Sequence, residues 1–332
     1  MSSRSFVSWS LLAIVIAAVS MTAVPALGQT DAQTVPQTPW GDPDLQGIWT
    51  GSTLTPFERP DDLVGKEFLT EEEVAAIEEE AARNQFVERV PRKGDPGTYN
   101  QVWFDNGITV VPDGRTSLIV DPPDGRIPWK AGAQAQIGGT LRIGPYDSTV
   151  DLDTGERCMT DGLPMLRLGY NPNTQILQTP GYVVILHEMF HDRRIIPLDG
   201  RPHGSIRQWN GDMAGRWEGD TLVVESTNFV DKTHYRWARG WKAPSHTMRL
   251  VERFTRVDGD TIEYQYTLED PSKFTRPWTA VIPLTTNQEV RGVTAGPLYE
   301  YACHEGNYAM VNVLSGARAQ EKARTGAQTN TR

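Results

Sequence analysis

The chain has 332 residues, 38% of them hydrophobic and 10 of them tryptophan, enough for one large cored domain or two modest ones. Lys+Arg total 32 against 42 Asp+Glu, a formal net charge of −10, and such a surface repels phosphate backbones and anionic lipid. Nucleic acid is therefore excluded as a partner, and so is a membrane surface once the leader described next is removed.

Arg4 precedes an apolar run from Phe6 to Val24, followed by the small residues Ala26-Leu27-Gly28. This pattern predicts a secretory signal peptide over residues 1–28, cleaved before Gln29, and a periplasmic or secreted protein. A retained anchor is the alternative, since the run approaches the ~20 apolar residues that span a bilayer. Losing Arg4 makes the net charge one unit more negative.

A flexible lead-in covers 29–44. Leu45 to Thr50 reads as a strand, and Thr70-Glu71-Glu72-Glu73 as a capping box opening a helix to about Phe86. Val74, Ile77 and Ala81 make its apolar stripe, and the glutamates form a solvated face. Asn100 to Val120 reads as two or three strands with a turn at Asp113-Gly114, and Trp129 to Asp153 as a long loop.

Beyond Cys158 the pattern is β throughout. The strands expected are Gln175–Gln178, Tyr182–Phe190, Arg193–Leu198, Thr221–Glu225, Met248–Val257, Thr261–Glu269, Thr279–Leu284 and Leu298–Ala302. Asp199-Gly200, Glu218-Gly219-Asp220 and Asp258-Gly259 are turn signals. Between Thr261 and Glu269, Ile262, Tyr264, Tyr266 and Leu268 alternate with polar residues. A short helix from about Asn307 to Ala317 and a disordered tail over 319–332 complete the chain. The expected fold is mainly β: one antiparallel barrel or sandwich over 45–318, with helical or loop insertions at 70–90 and 129–153.

Several phrases resemble a large family of exported bacterial β-rich proteins of uncharacterised activity. They are PWGDPDLQGIWT near Trp40, TSLIVDPPDGRIP at Thr116, RIIPLDGRPH at Arg194, GRWEGDTLVVESTNF at Gly215, RLVERFTRVDGDTIEYQYTLEDP at Arg249 and YEYACHEGNY at Tyr299. The resemblance implies a periplasmic or secreted β-rich protein and carries no catalytic assignment. A second likeness, to the lipocalin-like (calycin) barrels, rests on Gly47-Ile48-Trp49 and the late hairpins.

Cys158 and Cys303, the two cysteines of the chain, are expected to form a disulfide in an oxidising compartment. A reactive thiol beside His304 is the alternative. Residues 187–191 spell H-E-x-x-H, a zinc-protease signature when carried on a helix, where residues four apart lie about 6 Å from each other. On a strand the same residues stand about 13 Å apart. The β-branched run Tyr182-Val183-Val184-Ile185 before His187 and Arg193 to Pro197 after His191 favour strand–turn–strand, so no metal is expected. A zinc-dependent hydrolase built on this string is retained only as an alternative.

No Gly-rich phosphate loop, G-x-S-x-G elbow or C-x-x-C-H string occurs, so no cofactor is expected. All six histidines lie between 187 and 304, interleaved with arginines and tryptophans. This predicts a pocket for a small, partly hydrophobic, oxygen-bearing molecule, with His187, Arg193 and Trp209 binding it. His203, His304 and Arg201 are the candidates for proton transfer and oxyanion stabilisation in a lyase, isomerase or hydrolase. A non-catalytic carrier uses the same pocket without the chemistry. Arg193, Arg194, Arg201 and Arg207 have an alternative use, pairing with Asp192, Asp199, Asp212 and Glu218.

Overall fold

The computed structural model describes residues 35–85, 87, 107–133, 146–164, 170–231, 245–291 and 296–329. The leader, most of the 86–106 segment, 134–145 and the stretch holding His234, Trp237 and Trp241 lie outside them.

The late β pattern folds into antiparallel meanders. The first comprises β3 (Thr174–Thr179), β4 (Tyr182–His187) and β5 (Arg193–Pro197), with β1 (Gly47–Trp49) added beside β3. Pro180-Gly181 turns β3 into β4 because proline presets its own φ and Gly181 accepts φ 85°. The second sheet runs in the order β2 (Ile119–Asp121), β10 (Trp278–Thr285), β9 (Thr261–Glu269), β8 (Arg249–Arg256), β7 (Thr221–Thr227), β6 (Asp212–Glu218). Gly219-Asp220 and the Asp258-Gly259 turn connect its hairpins as the sequence predicts.

Alternation decides which side chains meet between the sheets. On β9, Ile262, Tyr264, Tyr266 and Leu268 are all buried while Glu263 is exposed, the pleat read from the sequence. Their partners Phe254 and Trp278 continue an aromatic row, with Phe254–Tyr264 centroids 4.6 Å apart and Tyr266–Trp278 centroids 5.8 Å apart. Trp49, fully buried, donates its indole N–H to the Leu45 carbonyl at 3.0 Å.

One seam between the sheets is sealed and the other is open. Thr50 and Thr285 exchange two backbone hydrogen bonds of 2.9 Å each, joining β1 to β10. Between β5 and β6 no backbone hydrogen bond exists among the described residues. The barrel is thus not closed and the arrangement is a sandwich. Gly215 lets the two strands approach closely without pairing. A Cβ there would stand 2.7 Å from Ile196 Cγ2 and 2.8 Å from Leu198 Cδ2.

Several expectations need correction. The strand β6 has no counterpart among the expected strands because Gly215, Ala214 and Met213 weaken its β signal; its partner β7 supplies the pairing. The strand expected to reach Phe190 stops at His187. No strand forms over 298–302, and within 107–118 a single backbone bridge, Phe68 to Arg115, replaces the expected strands. The first strand is shorter than Leu45–Thr50. The capping box at Thr70 forms as expected, and α1 spans Glu71–Asn84, yet no residue of α1 is buried. A four-residue α2 (Gln288–Arg291) follows β10, and the last helix, α3, spans Ala309–Thr329. No helix among the described residues is long and apolar enough to cross a membrane.

Cys158 and Cys303 are bonded, with Cα atoms 5.6 Å apart across a sequence separation of 145. The bond holds the 155–158 turn against the segment before α3, where Asn307 donates to the Glu156 carbonyl at 3.3 Å.

Candidate functional site

The open seam forms a cleft of about 760 Å³. One wall is β5 with the residue before it, Asp192 to Pro197, and the other is the 207–213 segment entering β6. Met159 and Thr160 line one end; Tyr182, Arg201 and Pro202 line the other.

Four arginines reach this cleft, and they divide by partner. Arg194 is buried and turns to the interior, where its Nη1 donates to Glu252 Oε1 at 2.9 Å and its Nη2 to Glu252 Oε2. Tyr264 donates its hydroxyl to the same carboxylate at 2.7 Å, and the Arg194 Nε approaches Met213 Sδ at 3.4 Å. Burial and the Glu252 charge together push the Tyr264 phenol well above its usual range. Arg201 is exposed and paired with Asp199, whose carboxyl it pulls down to about 2. Arg193 and Arg207, by contrast, have no carboxylate partner among the described residues; Arg207 reaches only the Phe229 carbonyl at 3.5 Å. The pairing alternative therefore holds for Arg201 with Asp199, while Arg194 takes Glu252 instead.

Apolar surface faces these charges. Ile195 is 61% exposed and Tyr182 40% exposed on the outer side of the first sheet, and both line the cleft with Trp209 and Met213. The Arg157 guanidinium stacks over the Trp209 ring at 5.4 Å and fixes it.

Asp192 closes the inner end. Asn210 Nδ2 donates to its two carboxylate oxygens at 3.0 and 3.2 Å, and the Thr160 hydroxyl also bonds it. Burial raises its pKa against the opposing effect of those hydrogen bonds, and the neighbouring Asp161 charge raises it further. Sequence reasoning treated Asp192 only as a partner for arginine. The available signal was alternation: Arg194 and Ile196 point inward, so Asp192 does too.

The histidines do not gather here. His203 does not line the cleft; its Nδ1 donates at 3.1 Å to Asp212, which lines it and also accepts from the Gly204 N–H at 2.7 Å. His203 Nε2 lies 3.9 Å from Glu225 Oε1. His187 is buried at the end of β4 against the Thr174 hydroxyl, 3.0 Å away, and does not line the cleft. His304 is exposed beside the disulfide, also away from the cleft. The cleft thus brings together Arg193, Arg201 and Trp209 of the expected residues and leaves out His187, His203 and His304.

The H-E-x-x-H string does not lie on a helix. His187 ends β4, and residues 189–191 make a tight turn in which Phe190 and His191 take φ of 60° and 47°. Glu188 is buried and accepts from Asn171 and Asn173 amides at 3.0 and 2.6 Å. His191 Nε2 accepts the Tyr301 N–H at 3.1 Å, so the string pins the 299–301 segment. Among the described residues no three His, Cys, Asp or Glu side chains converge as metal ligands.

No family model, curated protein or solved structure matches the chain. The cleft must be interpreted from its own chemistry.

Proposed function

We propose that this is an exported protein binding a small, partly hydrophobic molecule with an anionic oxygen group, in the cleft between β5 and β6. The observation that carries the reading is a pair of guanidiniums with no carboxylate partner among the described residues, Arg193 and Arg207, set beside Trp209 and Ile195 in one cleft of an acidic protein. Two cations without a carboxylate partner among the described residues, beside an apolar wall, attract an amphiphilic anion, and a cleft of about 760 Å³ suits a molecule of that class. The disulfide is compatible with export.

Titration calorimetry with hexanoate and benzoate tests this. Arg193→Ala and Arg207→Ala should each weaken binding about tenfold, the scale of one charge-assisted hydrogen bond, with the melting temperature unchanged. Absence of binding, or binding indifferent to both substitutions, overturns the reading.

Asp192 favours a second reading, proton transfer on the bound molecule. A half-buried carboxyl with a raised pKa in a ligand cleft is suited to general acid–base work. In that case Asp192→Asn abolishes turnover and keeps binding, whereas His304→Ala changes neither. In the carrier reading, wild type binds without turnover.

A further inference from the structure

The wall formed by β5 is a strand edge with its backbone open. In the antiparallel β4–β5 pair, His187 N–H bonds the Asp192 carbonyl at 2.8 Å and Leu198 N–H bonds the Gly181 carbonyl at 2.9 Å. Hydrogen-bonded pairs alternate from these, so Arg194 and Ile196 point their backbone groups at β4. The N–H and C=O of Arg193 and Ile195 point the other way, into the seam. No backbone or side-chain partner takes them among the described residues. An edge left this way is a template for another strand. At its far end Pro197 has no N–H to offer, and Gly215 closes in, its Cβ position 3.4 Å from the Pro197 carbonyl oxygen.

We propose that the cleft takes a short acidic peptide in extended conformation, which adds to the open edge of β5. The inference rests on the cleft being the binding site and names what occupies it. Arg193 and Ile195 offer two donors and two acceptors at strand spacing, which a run of about four residues, on the order of 13 Å, can satisfy. Their side chains share one face of the sheet, so a peptide residue opposite Arg193 meets a cation with no carboxylate partner among the described residues and one opposite Ile195 meets an apolar surface. Arg207 on the facing wall supplies a second cation. A chain with backbone donors alternating along one edge and carboxylates on its side chains matches all of these features; a simple fatty or aromatic acid uses only the cations and the apolar wall.

The test is calorimetry on the full mature protein. The probes are hexanoate, the acetylated and amidated pentapeptide Glu-Thr-Val-Thr-Glu, and two N-methylated forms of that peptide. One form is methylated at the first, third and fifth amides, the other at the second and fourth. The unmodified peptide is expected to bind, and Arg193→Ala to weaken it about tenfold. Only one edge of the peptide faces β5, so one methylation set should weaken binding about tenfold or more while the other leaves it nearly unchanged. Equal effects of both sets, or none from either, overturn the pairing. Binding of hexanoate without the peptide overturns it too, while leaving the cleft reading intact. If neither binds, both readings fall. A dimer in solution that the peptide does not dissociate places a second copy on the edge and overturns the proposal.

Discussion

Asp192 and Arg194 sit two residues apart, both turned inward, and burial acts on them in opposite ways. Burial raises the Asp192 pKa, so the folded chain holds that proton more tightly than the unfolded chain does. Stability from this group therefore falls as pH rises from the ordinary carboxylate value through the raised one. Asp192→Asn removes the charge, and the variant should be more stable than wild type at neutral pH, with the gap closing in acid. Urea unfolding across pH checks it; a gap that does not change with pH counts against a raised Asp192. Arg194 keeps its charge because Glu252 accompanies it, fully buried, with Tyr264 completing the carboxylate's hydrogen bonds. Glu252→Ala leaves an unpaired buried guanidinium and should cost about 3–5 kcal/mol. The double change Arg194→Met with Glu252→Met should recover most of that loss, since an apolar pair of similar volume avoids the desolvation. Two additive losses in denaturant titrations refute the coupling.

At the scale of elements, β6 and the 188–192 turn show why local pattern misleads. Gly215 is a poor strand former, yet it is the residue that lets β6 approach β5 beside Ile196 and Leu198. Gly215→Ala should cost about 1–3 kcal/mol by overpacking and should widen the seam. Faster amide exchange in β6 together with the lower melting temperature marks that outcome; an unchanged melting temperature shows the neighbours yield freely. The H-E-x-x-H string is the converse case, a motif without its element. Its first histidine completes a strand, its glutamate is held by two asparagine amides, and its last histidine accepts from Tyr301. Thr70 behaves as sequence logic expects, its hydroxyl accepting from the Glu73 N–H at 3.3 Å and the Glu73 carboxylate from the Thr70 N–H at 2.8 Å.

For the whole molecule, the disulfide is the longest-range constraint. Closing a loop of 145 residues removes unfolded-state entropy worth about 4–5 kcal/mol in the chain model. Cys158→Ala with Cys303→Ala should lower stability by up to that amount, and reductant should lower the wild-type melting temperature alike. Two alkylatable thiols in the unreduced protein contradict the pairing. The sandwich itself tolerates an open seam because its other seam is tied by Thr50 and Thr285 and its centre by Arg194 and Glu252. That division concentrates the β5 backbone groups that have no partner among the described residues in one place, which is where the cleft lies.

What the sequence determined alone is what short-range pattern encodes. Period-two alternation placed the β9 face correctly, turn residues placed the β6–β7 and β8–β9 connections, the capping box placed the start of α1, and two cysteines implied one bond. The sequence also assembled the cationic and aromatic residues Arg193, Arg201 and Trp209 into one candidate site. It did not place the histidines, because nearness along a chain says nothing of facing: His187 ends a strand in the core, and His304 lies outside this cleft. Tertiary structure decided which arginines were already spoken for. Glu252 is 58 residues from Arg194 and reaches it only because the two sheets stack face to face. It also decided that β5 and β6 would touch without pairing, since strand register and sheet closure depend on how all the strands pack together.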